Sequence, residues 1–230
     1  MWDPSGARTP RHFAGHTALV WAAAIGRVGR APVVVSGGGD STVRVWNATG
    51  DEPPLVLTGH VDTVRAVAVG TGPDPLVVSG GDDRTARVWD LSGRRDTVVL
   101  VHPAVVAAVA VGMLDGETLV VSGAADGKVR LWDRSGLRPS RVLAGHRAPI
   151  WGVGFGELAG VPVVVSGAGD HTVRVWDART GAERARFDAG PDVIACAFTP
   201  DPSSPDGMRL LRLERPLIMS GNVWAALTGY

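Results

Sequence analysis

The sequence predicts an all-β chain built from repeated four-stranded sheets, and three observations carry that prediction. An apolar string ending in Ser-Gly recurs: Pro32 to Gly37 and Pro162 to Gly167 are identical, and Pro75 to Gly80 and Leu119 to Gly123 are close variants. A tryptophan stands ten residues after each serine, pairing Ser36 with Trp46, Ser79 with Trp89, Ser122 with Trp132 and Ser166 with Trp176. An aspartate sits six residues before each tryptophan (Asp40, Asp83, Asp126, Asp170) and a histidine 29 or 30 before it (His16, His60, His102, His146).

The elements of one unit follow from local pattern. Val64 to Val69 and its equivalents open the unit as a first strand. Runs such as Val33 to Ser36 are apolar and β-branched, as in a strand covered on both faces. Thr42 to Trp46 alternates with period two, and a glycine-rich turn precedes it, reading Asp126-Gly127 in the third unit. A glycine closes the segment after each tryptophan (Gly6, Gly50, Gly93, Gly136, Gly181), and a short outer strand such as Leu55 to Leu57 or Arg141 to Leu143 follows. No segment carries a helical stripe. With turns centred on Ser41, Arg84, Gly127 and His171, each serine is expected opposite its tryptophan, with the aspartate at the turn entry. Indole N–H, hydroxyl, imidazole and carboxylate can then satisfy one another in series.

These residues resemble the WD-repeat β-propeller family. Gly-His occurs at Gly15-His16, Gly59-His60 and Gly145-His146, and Trp-Asp at Trp89-Asp90, Trp132-Asp133 and Trp176-Asp177. Two positions depart: Trp46 is followed by Asn47, and Val101 precedes His102. The resemblance implies four structural tetrads of Trp, Ser, His and Asp: Trp46, Ser36, His16, Asp40; Trp89, Ser79, His60, Asp83; Trp132, Ser122, His102, Asp126; and Trp176, Ser166, His146, Asp170. It covers residues 1–187, with 188–230 a degenerate fifth repeat. There Val193 to Phe198 resembles a first strand, Pro200 to Gly207 an inserted loop, and Pro216 to Gly221 the second-strand motif with Ser220 in the serine position. Trp2 lies 44 residues before Trp46, so the chain opens on the end of a further copy. Either five blades close into a ring, or the chain is an arc completed by a second copy or further sequence; the arc is the expectation, because the sequence starts and stops mid-unit, and its open strand edges would favour association.

Lys+Arg and Asp+Glu both number 23, which argues against nucleic acid or anionic membrane as partner. Cys196 is alone, so no intrachain disulfide forms, and the first residues lack a signal-peptide pattern; a soluble, cytoplasmic protein is expected. Ser36, His16 and Asp40 have the residue types of a nucleophilic triad, but their fourfold recurrence argues for bracing rather than catalysis. The histidines fall in separate units, without metal-ligand spacing, and no phosphate loop is present, so neither metal nor cofactor is expected.

The resemblance implies that ligands dock where the loops before the first strands meet the turns between second and third strands. The positions three and five after each histidine and the residue before each aspartate face there, and unlike the tetrads they vary between units. Leu19, Trp21, Arg65, Asp82 and Trp151 are the binding candidates, since Trp and Arg are favoured in hot spots. Trp21 and Trp151 have the alternative role of packing between blades. The expected function is a non-catalytic protein-interaction scaffold; the alternatives are a propeller enzyme or carbohydrate-binding module, and a fragment of a larger regulator without independent function.

Overall fold

A computed structural model describes residues 11–70, 75–137, 141–188, 193–200 and 208–214, the last two segments as backbone alone. Among these residues every regular element is a strand. The first sheet contains β1 (Val20–Val28), β2 (Ala31–Gly38), β3 (Val43–Asn47) and β4 (Leu55–Leu57). The second contains β5 (Val64–Val69), β6 (Leu76–Gly81), β7 (Thr85–Asp90) and β8 (Val98–Val101). The third contains β9 (Val106–Leu114), β10 (Glu117–Ala124), β11 (Lys128–Asp133) and β12 (Arg141–Ala144). The fourth contains β13 (Ile150–Leu158), β14 (Val161–Ala168), β15 (Thr172–Asp177) and β16 (Glu183–Asp188). Each is an antiparallel meander in chain order.

A two-stranded hairpin of β17 (Val193–Pro200) and β18 (Met208–Glu214) follows. β17 stands where a first strand was expected. Met208–Glu214 pairs with it. Residues 216–221 with Ser220, the loop 201–207 and Trp2 lie outside the described residues.

The first strands stand side by side along the series: β1 beside β5, β5 beside β9, β9 beside β13 and β13 beside β17. The cores lie between sheets. Val35, Val43 and Val45 of the first sheet pack on Val64, Val77 and Trp89 of the second, and the same joint recurs at the next two boundaries. The Ser-Gly step explains how the sheets approach so closely. A Cβ on Gly37 would lie 2.5 Å from Val64, one on Gly80 2.6 Å from Val106, and one on Gly123 2.5 Å from Ile150. These glycines therefore act as sockets for the next sheet. Val64, Val106 and Ile150 are 0% exposed, whereas their counterpart Val20, on the outward face of the first sheet, is 51% exposed.

Candidate functional site

The second and third strands of each sheet meet in a three-residue loop. In the first sheet Ser41 N–H donates to Gly38 at 3.2 Å and Gly38 N–H to Thr42 at 3.2 Å, and Ser41 has φ 62°. This is a type I turn followed by a left-handed residue. Arg84, Gly127 and His171 hold the same place with φ of 62°, 74° and 62°. The loop centre is therefore the aspartate, not the residue after it. Ser36 faces Arg44 and Val34 faces Trp46, with the same shift in the other sheets. This corrects the expected register by two residues. Serine and tryptophan meet diagonally on one face instead, which the long indole spans.

The diagonal contact is short in every sheet: Trp Nε1–H donates to Ser Oγ at 2.8 Å for Trp46, Trp89 and Trp176 and 2.9 Å for Trp132. Histidine Nε2 lies 2.7 Å from Ser79 Oγ and 2.8 Å from Ser36, Ser122 and Ser166. The serine hydroxyl donates to that nitrogen, so Nδ1 carries the ring proton. In three sheets Nδ1–H donates to the aspartate, at 2.9 Å for His16 to Asp40, 2.8 Å for His60 to Asp83 and 3.1 Å for His146 to Asp170. A threonine two residues after the aspartate completes the set: Thr42, Thr85 and Thr172 donate Oγ1–H to it at 2.8, 2.8 and 2.7 Å. Backbone N–H groups of Thr17, Val61 and Arg147 add a further bond. The threonine went unnoticed in the sequence reading; its recurrence two residues after three of the four aspartates was the available signal.

Electrostatics follow from these bonds. Burial alone raises the Asp170 carboxyl, but the Arg147 N–H, the Thr172 hydroxyl and the His146 ring outweigh it and bring it down to about 2. Asp40 and Asp83 are lowered for the same balance of reasons. Burial pushes His60 and His146 below their ordinary value despite the adjacent carboxylates, so neutral imidazole faces ionised aspartate.

The third sheet departs from the tetrad expected for it. His102 Nδ1–H donates to the Leu100 carbonyl at 2.9 Å, and Asp126 instead binds Arg130 at 2.6 and 3.1 Å. Three substitutions account for this. Lys128 stands where the other sheets have threonine, and Pro103 lacks the N–H that follows the histidine elsewhere. Val101 replaces the glycine. A Cβ on Gly15, Gly59 or Gly145 would lie 2.5 to 2.8 Å from Nη1 of Arg44, Arg87 or Arg174. In the third sheet Arg130 binds Asp126 instead. Without a carboxylate, His102 is pushed by burial down to about 4.

The Trp-Asp dipeptide has its own local purpose. Asp90 accepts Ser92 N–H at 2.8 Å, and Asp177 accepts Arg179 and Thr180 N–H at 2.9 Å. Asn47 accepts Thr49 N–H at 2.9 Å and Gly50 N–H at 3.0 Å through its amide oxygen, so the departure at Asn47 keeps the turn.

Beside each network the first strand bulges. The pairing skips Trp21, Arg65, Ala107 and Trp151, the positions five after each histidine. A bulge re-aims its side chain and sits at strand ends near sites. One backbone bond per sheet ties the other two candidate positions together: Gly39 N–H to Leu19 at 2.8 Å, and Asp82 to Thr63, Ala125 to Val105 and Gly169 to Pro149, each at 2.9 Å. The structure thus brings Leu19, Trp21, Arg65, Asp82 and Trp151 to one end of the sheets. Arg65 grips Asp82 with Nε and Nη2 at 2.7 to 3.0 Å and lies 4.2 Å over the Trp21 ring in the neighbouring sheet. Trp21 therefore packs across a sheet boundary, whereas Trp151 is 47% exposed over Gly169.

The serines of the Ser–His rows are buried, Ser36 at 6% exposure. Ser79, Ser122 and Ser166 are 0% exposed, and a tryptophan N–H already occupies each hydroxyl oxygen. Among the described residues no three His, Cys, Asp or Glu side chains converge as metal ligands, and no helix is long and apolar enough to cross a membrane.

Comparison with known families agrees with this geometry. The model of the "WD domain, G-beta repeat" matches residues 8–47, 51–90, 97–133 and 137–177. No curated protein matches the chain. Four matched repeats, each holding the first three strands of one sheet and its Trp–Ser–His bridge, place the chain in the WD-repeat family of β-propeller proteins.

Proposed function

We propose that the chain is a non-catalytic interaction scaffold that presents the bulged end of its blades to a protein partner. WD repeats generally mediate protein–protein contact. One observation carries the reading to this end of the sheets. The bulge residue and the two positions bonded beside it share a backbone frame in all four blades, yet their identities change from blade to blade. Constant frame and variable side chains are what a recognition surface needs. The expected cytoplasmic setting belongs to the same reading.

The test is capture with cross-linking by the full chain, by Trp21→Ala/Arg65→Ala/Trp151→Ala, and by a control altered at the opposite end, Arg27→Ala/Glu157→Ala. Proteins held by the parent and the control but lost by the triple variant support the reading. Equal capture by all three removes it.

A second reading concerns assembly. The exposure of Val20, set against three fully buried counterparts, favours a further sheet seated on the outward face of the first blade, from this chain or a second copy. Val20→Thr/Ile25→Thr is expected to lower self-association in sedimentation. A parent protein that is monomeric at all concentrations excludes the second-copy form.

A further inference from the structure

The bulged end carries three exposed cations without ion pairs among the described residues. Arg84 occupies the left-handed position at a turn tip, Lys128 lies two residues beyond Asp126, and Arg147 follows His146. All three are exposed, on the second, third and fourth blades in turn. The backbone N–H of Arg147 is fixed on Asp170 at 2.9 Å, which holds its Cα at the rim and leaves the guanidinium in solvent. None of the three has an ion-pair partner among the described residues.

Carboxylates at this end are mostly committed. The Asp82 carboxylate is held by Arg65, and Asp126 by Arg130. Side chains of Asp40, Asp83 and Asp170 are only 7%, 2% and 12% exposed behind the networks. Asp188, on the outer strand, lies 3.6 Å from Arg186, which leaves Asp62, whose carboxylate accepts Thr63 N–H at 2.7 Å, as the exposed carboxylate without an ion pair among the described residues there. At the opposite end Arg134 meets Asp90 at 3.6 Å, Arg184 meets Asp177 at 3.1 Å and Arg179 meets Asp115 at 2.6 Å, and the exposed Arg27, Arg30, Arg94 and Arg95 share that end with the exposed Glu157 and Asp96. At the bulged end three exposed cations without ion pairs thus stand against one such carboxylate, beside the side chains that the bulges aim outward.

Apolar side chains lie among those cations: Leu19 is 73%, Val61 85% and Trp151 47% exposed. A polyanionic nucleic acid is a poor match, since its affinity rests on about 6–10 phosphate contacts and here three cations are separated by apolar side chains. We propose, resting on the interaction-scaffold reading above, that the partner docks through an acidic peptide segment, its carboxylates set against Arg84, Lys128 and Arg147 and an apolar side chain packed on Trp151. Such charges govern encounter and register, and the exposed indole supplies the anchor.

Panning a displayed library of random dodecapeptides on the full chain tests this. Selected peptides are expected to be enriched in Asp and Glu around a large apolar residue. The best synthetic peptide should lose about tenfold in affinity on Arg84→Glu/Lys128→Glu/Arg147→Glu, and similarly in about 0.5 M salt. The neutral set Arg84→Gln/Lys128→Gln/Arg147→Gln should give a smaller loss in the same direction, with an unchanged unfolding curve showing that the variants fold. Neutral or basic peptides that respond to Trp151→Ala but not to charge reversal overturn the acidic partner and leave the scaffold reading standing. Peptides indifferent to both, or no enrichment at all, overturn both. A single-stranded DNA dodecamer bound as tightly as the best peptide also overturns the proposal.

Discussion

Blades two and three begin from nearly the same sequence and reach different polar cores. In the second, His60 is clamped between Ser79 and Asp83, and Arg87 lies against Gly59 with its Nε buried and unpaired. In the third, Arg130 satisfies itself on Asp126 and His102 falls back on a carbonyl. Each solution leaves one cost, an unsatisfied arginine N–H in one and a histidine without its carboxylate in the other. The Trp–Ser–His part is common to both. The unit common to all four sheets is therefore the three-membered bridge, and the aspartate is an extension that depends on the residues around it at positions 101, 103 and 128.

Transplanting the residue before the histidine is expected to have the largest effect. Gly59→Val puts a β-branched residue at φ 148°, with its Cβ 2.8 Å from Arg87 Nη1, and should cost about 4 kcal/mol in urea unfolding while breaking the His60–Asp83 contact. A cost below about 1 kcal/mol would show that the aspartate contact does not depend on the glycine.

The next effect is in pH. His102 is held neutral by burial, with its folded value near 4 against an ordinary 6.5. A depressed histidine stabilises the fold fully above 6.5, and that contribution drains away as pH falls through 4, about 3 kcal/mol in all. The lowered aspartates add further loss below their ordinary value of 3.8. NMR titration of His102 near 6.5 would contradict this account.

Reversing the three substitutions is a smaller change. Val101→Gly/Pro103→Thr/Lys128→Thr restores the donors that surround Asp83 and Asp170, and should raise stability by about 2 kcal/mol as His102 Nδ1 turns to Asp126. The His102 proton resonance moving without any gain in stability would sharpen the comparison, locating the benefit in specificity rather than energy. The smallest effect is at the loop tip, where the third blade alone has glycine in the left-handed position. Gly127→Ala should cost about 1 kcal/mol, and Arg84→Gly should return about 0.5 kcal/mol net of backbone entropy.

Much of this fold was legible before coordinates. The Ser-to-Trp and His-to-Trp spacings located the sheets and the members of the bridge, because a hairpin of fixed length fixes both. The register was misplaced by two residues, since a centred turn and a type I turn with a left-handed residue leave the same ten-residue spacing. The fate of Asp126 was not read, although Val101, Pro103 and Lys128 were all visible, because it depends on where Arg130 goes. Of the binding positions, sequence placed Trp21, Arg65 and Asp82 on one end but could not see that they stack on one another. That contact joins neighbouring sheets and has no fixed spacing along the chain.

The glycine sockets at positions 37, 80 and 123 make every described joint between the four blades alike. The second and third sheets each carry a plug on one face and a hole on the other, so a unit of that kind can be duplicated or deleted and the flanking couplings still engage. Removing part of a unit strands a plug without its hole. Growth of such a chain by whole-unit duplication therefore calls for no new packing solution, and the joint itself sets the increment.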